Sequence, residues 1–191
     1  GQTGLSHALE HMMFKGSEKL APGEASRILR ELGAEDDAFT SDNYTAYYQV
    51  LARGRLGVAF ELEADRLASL KLPAEEFKRE IEVIKEERRQ RTDDKPSALA
   101  YERFKAMAYP ASGYHNPTIG WMADLQRMQI DQLSDWYKAW YAPNNATLVV
   151  VGDVSVDEVK VLAERYFGHI PRRSVPPARQ PLVPVRARRA P

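Results

Sequence analysis

His7-Ala8-Leu9-Glu10-His11 is the stretch from which the rest of this chain is read. In a helix each residue turns by about 100°, so His7 and His11 stack one turn apart and Glu10 stands on the same arc between them. Two imidazoles and one carboxylate then share a small volume. Histidines at i and i+4 can hold a single borderline cation such as zinc, and a carboxylate that does not ligate can take a proton from bound water. The competing reading is a pair of core histidines that merely satisfy hydrogen bonds, and five residues alone do not separate the two.

Working outward, Thr3 to Ser6 offer hydroxyls that predict the helix cap, and Gly16 marks its far limit. Ile28, Leu29 and Leu32 predict a second helix over 25–32, closed by Gly33. Residues 38–51 carry strand chemistry, broken by Asp42-Asn43, and read as one or two strands. A helix over 55–70 follows. The next one, Glu75 to Arg91, matters more to the chemistry. Phe77, Ile81 and Ile84 mark its inward stripe, and Glu80 and Glu87, seven apart, both flank Ile84 on that side. A carboxylate on a buried stripe needs an arginine, a histidine or a metal, because burying it unpaired costs several kcal/mol or forces protonation. A solvated, charge-rich helix is the alternative.

Further along, helices are predicted over 98–108, 119–128, 130–141 and 156–167. His115 stands alone in a loop and reads as structural. The β-branched run Ala146 to Val151, between the turn Ala142-Pro143-Asn144-Asn145 and Gly152-Asp153, predicts a central strand. Beyond Gly168 periodicity fades, and proline and arginine dominate. The expected organisation is therefore one domain over 1–171 and a linker or tail over 172–191.

Composition narrows the function classes. The 191 residues are 43% apolar, enough for one domain with a core, and their 27 basic and 27 acidic residues cancel. That balance speaks against a nucleic-acid partner. Without cysteine, a transition metal must be held by nitrogen and oxygen ligands. No apolar run approaches the roughly 18 residues of a membrane span. The opening Gly1-Gln2-Thr3-Gly4 carries no signal core, and an upstream part is expected to be absent.

Several of these stretches, in one order, resemble the pitrilysin and insulinase family of zinc metallopeptidases, within it the bacterial processing-peptidase-like branch. They are His7 through Gly16, Ala38-Phe39-Thr40-Ser41 through Tyr47-Tyr48, Val83-Ile84-Lys85-Glu86-Glu87, Ile119-Gly120-Trp121, and Tyr141 through Asn145. The H-x-x-E-H pattern is the reverse of the commoner H-E-x-x-H. The resemblance implies an α+β fold, with a largely antiparallel sheet and helices packed on one face, forming one half of a two-part chamber. It assigns one zinc per chain to His7, His11 and Glu87, makes Glu10 the catalytic base, and places Glu80 in support of the site. It gives the strand Asp37, Ala38, Phe39 and Thr40 to the peptide substrate, with Asp37 standing where relatives usually carry asparagine. A homologous C-terminal half or partner subunit is implied to complete the chamber, so this chain alone is expected to be a weak peptidase. A second class stays open, a non-catalytic partner or scaffold subunit. Such relatives typically lose motif residues, and all four positions are intact here. The compartment is left open, with periplasm or secretion expected only from the bacterial branch.

Overall fold

Helix α1 (Leu5–Met12) is enclosed on nearly every side, and the other elements are arranged around it. The structure, a computed structural model, describes residues 2–177. After α1 come α2 (Glu24–Glu31), the strands β1 (Glu35–Thr40) and β2 (Thr45–Val50), then α3 (Leu56–Ser69) and α4 (Ala74–Arg88). Helices α5 (Pro96–Ala108), α6 (Met122–Leu125), α7 (Ile130–Trp140) and α8 (Val156–Phe167) complete the order. Leu5, Ala8, Leu9 and Met12 of α1 meet Phe77, Ile81 and Ile84 of α4, and Leu133 and Tyr137 of α7, in one core. Removing these side chains from water is the main force holding the helices in place.

The two strands form an antiparallel hairpin in which Glu35 faces Val50, Ala38 faces Tyr47 and Thr40 faces Thr45. Alternation along the strands turns Ala38, Thr40, Thr45 and Tyr47 toward α1, while Phe39 and Tyr48 lie exposed on the outer face. The result is an α+β domain with helices on one face of a small antiparallel sheet. Away from this centre, α3 packs on α8 through an edge-on contact of Phe60 and Phe167 at 5.9 Å.

The start of α1 is fixed differently from the sequence expectation. Gly4, with φ of 81°, precedes the helix, and no side chain caps it. The Thr3 hydroxyl instead donates to Asp124 at 2.6 Å and accepts the Trp121 amide at 3.0 Å, so it ties α1 to α6. Gly4 and Gly120 pass so closely that a Cβ on Gly4 would lie 2.5 Å from the Ile119 carbonyl oxygen. Only glycine allows both that approach and the left-handed backbone.

The predicted central strand at 146–151 is a correction. Among the described residues it pairs with no strand, and Val149 and Val151 are 74% and 91% exposed. A β-branched run becomes a strand only when a neighbour supplies its ladder and a face to pack on. Helix α4 also ends differently, in a π-helical turn, Arg89–Asp93. There Arg88, one of the few buried cations, binds both oxygens of Glu102 at 2.8 and 2.9 Å and donates to the Gly120 carbonyl at 3.0 Å. The expected tail at 172–191 falls mostly on 178–191, outside the described residues.

Candidate metal centre

Helix α1 supplies His7, Glu10 and His11, and α4 lies against it, presenting Glu80 and Glu87. Because seven residues return a helix almost to one azimuth, both glutamates emerge beside the buried Ile84. The His7 and His11 rings stand 4.7 Å apart, centre to centre. Glu87 Oε2 is 3.6 Å from His7 Nε2 and 3.3 Å from His11 Nε2. Two ligands bound at about 2.0–2.1 Å in a tetrahedral arrangement stand roughly 3.3–3.4 Å apart, so these separations fit a zinc ion. Among the described residues, His7, His11 and Glu87 are the group whose donor atoms converge in this way, all within 4.8 Å of one another.

The electrostatics agree with metal binding. Burial, the neighbouring His11 and Arg91 lower the His7 pKa to about 4, so the ring is neutral at pH 7, as a ligand must be. Among the described residues its buried Nδ1 has no hydrogen-bond partner. His11 is held from behind, with Nδ1 3.1 Å from Glu80 Oε2, and Lys15 Nζ lies 2.6 Å from the other Glu80 oxygen. Glu80 therefore touches a histidine's outer nitrogen. Arg91 reaches the free Glu87 oxygen, Oε1, at 2.7 Å.

Glu10 is buried beside this group without belonging to it. Burial raises its pKa, an effect opposed by the hydrogen bond from the Thr40 hydroxyl and by His11, and supported by Glu87 and Asp37. Of the strand residues assigned to substrate, Ala38 and Thr40 face α1, while Asp37 and Phe39 lie on the outer face. Asp37 accepts the Ala38 amide at 2.8 Å and the Tyr48 hydroxyl at 3.2 Å. Among the described residues β1 is paired on one edge only, by β2. His115 lies in its loop, with Nδ1 2.6 Å from the Ser112 carbonyl oxygen, as a structural role requires.

Residues that sequence reasoning missed include Lys15 and Arg91. Arg91 stands four positions after Glu87 along the same helical run, so spacing alone could have found it. Lys15 lies beyond the end of α1 and pairs with Glu80 of α4, a contact without local signal. The buried Arg88 pairing with Glu102 had no local signal.

Comparison with known proteins gives the family of the chain. Residues 1–120 match the family model Insulinase (Peptidase family M16). The chain belongs to the insulinase family, M16. Residues 127–190 of this M16 chain match a second model, Peptidase M16 inactive domain. The chain is 36% identical over 167 residues to the zinc protease PqqE of Helicobacter pylori, covering 87% of itself and 38% of that protein. It is 28% identical over 165 residues to the uncharacterized zinc protease YmxG of Bacillus subtilis, covering 86% of itself and 40% of that protein. The crystal structure of a protease from Helicobacter pylori superposes with a TM-score of 0.90 at 34% identity, over 95% of this chain and 44% of that one. The first half of the periplasmic protease PqqL from Escherichia coli shares the fold, with a TM-score of 0.85 at 22% identity, over 95% and 40% of the two chains. The M16 chain thus spans about two fifths of the length of the curated relatives it matches.

Proposed function

We propose that this chain is the catalytic part of a zinc-dependent endopeptidase acting on extended peptides or small unfolded proteins. The observation that carries the reading is the convergence of His7, His11 and Glu87 at ligand spacing, with Glu10 buried beside them and bound to none of them. His7 and His11 would hold one zinc through Nε2 and Glu87 would hold it through Oε2. The metal, when bound, polarises a peptide carbonyl and makes water acidic enough to attack near neutral pH. Glu10 accepts the proton released in that attack and returns it to the leaving amine. In the metal-free protein burial raises its pKa, which favours it as the base for that proton. Glu80 orients His11 and raises its basicity through Nδ1. The unpaired edge of β1, from Asp37 to Thr40, receives the peptide as an added strand, a mode that reads backbone more than side chains.

The relatives are more than twice as long as this chain, and in this reading a homologous second half or partner subunit closes the cleft from the far side. Closure excludes water and strengthens electrostatic stabilisation of the oxyanion. The test is turnover of an unstructured peptide at saturating zinc, by this chain alone and with a homologous second half supplied. Slow turnover alone, a rise on addition, and a drop of about 10²- to 10⁴-fold in Glu10→Gln with zinc still bound are the expected results. Turnover undiminished by Glu10→Gln would contradict the reading.

A further inference from the structure

The Thr40 hydroxyl lies on the inward face of β1, where it donates to Glu10 Oε2. It is not an isolated contact. Thr45, directly across the hairpin, has its own hydroxyl 3.1 Å from that of Thr40. Beyond them the Tyr141 and Tyr47 hydroxyls pair with one another at 2.8 Å. The Tyr47 ring is in turn covered by the Arg66 guanidinium, 4.6 Å from its centre.

The direction of this chain follows from the carboxylate at its end. An ionised carboxylate only accepts, and each hydroxyl has one hydrogen to give. Thr40 spends its hydrogen on Glu10, so Thr45 donates to Thr40. Two hydroxyls, one from each strand, are thereby aligned toward one oxygen, and aligned hydrogen bonds in a low-dielectric interior reinforce one another. Glu10 Oε1, by contrast, receives no donor among the described residues.

We propose that Thr40 is a positioning residue for Glu10. Its hydroxyl, backed by Thr45, fixes Oε2 and leaves Oε1 as the oxygen that meets the attacking water. This rests on the peptidase reading above. It also divides labour along β1, whose backbone edge meets the substrate while the Thr40 side chain, pointing inward, serves the base. Glu10 lies on a helix and has rotatable bonds enough to swing away from the water's position. A misplacement of about 1 Å can cost 10²-fold in rate, which is the scale of effect at stake here.

The experiment compares Thr40→Val, which keeps the branched shape and loses the hydroxyl, with Thr40→Ser, which keeps the hydroxyl. Both are made in the full zinc-loaded protein. In Thr40→Val, kcat falls about 10- to 100-fold, KM stays within about threefold, and zinc remains at one per chain. Thr40→Ser recovers at least about a third of the parental kcat, because the donor is restored. Where Thr40→Val does not fold, Thr40→Ala removes the same hydroxyl and gives the same reading. Unchanged kcat in the variant lacking the hydroxyl, a change confined to KM, or a Thr40→Ser as slow as Thr40→Val would overturn the proposal. A second readout needs no activity, namely the Glu10 side chain in crystals of parent and variant. One Glu10 rotamer in the parent and several in Thr40→Val support the positioning role, and the same single rotamer in both overturns it. A parent without Glu10-dependent turnover would instead sink the peptidase reading, and the rotamer comparison would still decide the role of Thr40.

Discussion

The helices α1 and α4 that meet at the candidate metal centre and the stretch from Ala146 to Val151 were each assigned a secondary structure from sequence, yet only α1 and α4 take the one expected of them. At the corner where α1 meets α4, His7, Glu10 and Glu80 are largely buried, Glu10 accepts from Thr40 of β1, and Glu80 meets His11 and Lys15. At 146–151 three aliphatic side chains stand in the open without a ladder among the described residues. The difference is one of reach. A helix satisfies its own backbone and sets the relative azimuth of its side chains within a single turn. A strand depends on partners elsewhere in the chain, so its sequence states a preference that tertiary structure must complete.

The comparison can be pressed with substitutions of graded effect. Ile84→Ala, in the fully buried centre of the α1 and α4 packing, is expected to cost about 2–5 kcal/mol by leaving a cavity between the ligand-bearing helices. Urea denaturation measures it, and a loss below about 1 kcal/mol would mean that this corner is far looser than described.

Next in size is a pH effect on the metal-free protein. The folded-state His7 pKa is lowered to about 4 from an ordinary 6.5, so between those values the unfolded chain takes a proton that the folded one refuses. The contribution of His7 to stability is therefore complete above pH 6.5 and is lost as pH falls toward 4, by on the order of 3 kcal/mol. Urea midpoints of chelator-treated protein across this range should show a steeper acid decline than those of His7→Gln. Parallel curves would show that burial does not hold the ring neutral.

Glu80→Gln tests the outer support of the site. It keeps the shape but loses the charge facing His11 Nδ1 and Lys15, and zinc affinity should weaken roughly 10- to 100-fold without vanishing. Competition with a chelator of known affinity measures this, and an unchanged affinity would remove Glu80 from the site. The smallest effect is expected in the other region, where Val149→Ala should alter stability by less than about 0.5 kcal/mol. A loss comparable to that of Ile84→Ala would mean that the exposed run is packed after all.

The same contrast explains how much was legible beforehand. His7, His11 and Glu10 fell on one arc because one helix carries them, and Glu80 and Glu87 fell on the buried side of α4 by the same arithmetic. That α1 and α4 face one another was supplied by family resemblance, since helical periodicity says which face is buried but not against what. The role of Thr3 escaped reading because its partners, Asp124 and Trp121, lie more than a hundred residues away. Thr40 was assigned to the substrate strand by the family resemblance, and its contact with Glu10 depends on strand register and on how the hairpin sits over α1. Arg88 shows a further limit. In sequence it is one of several basic residues at the end of α4, and only the approach of Glu102 and Gly120 makes it a buried anchor.

The central claim is that His7, His11 and Glu87 together hold one zinc, and metal analysis of zinc-loaded, desalted protein tests it most directly. The parent should retain one zinc per chain. His7→Ala and Glu87→Gln should each lose it under conditions where Glu10→Gln keeps it, because removal of a ligand exceeds the roughly 100-fold penalty of disturbing an outer partner. A parent that retains no zinc, or full retention in both His7→Ala and Glu87→Gln, would contradict the account.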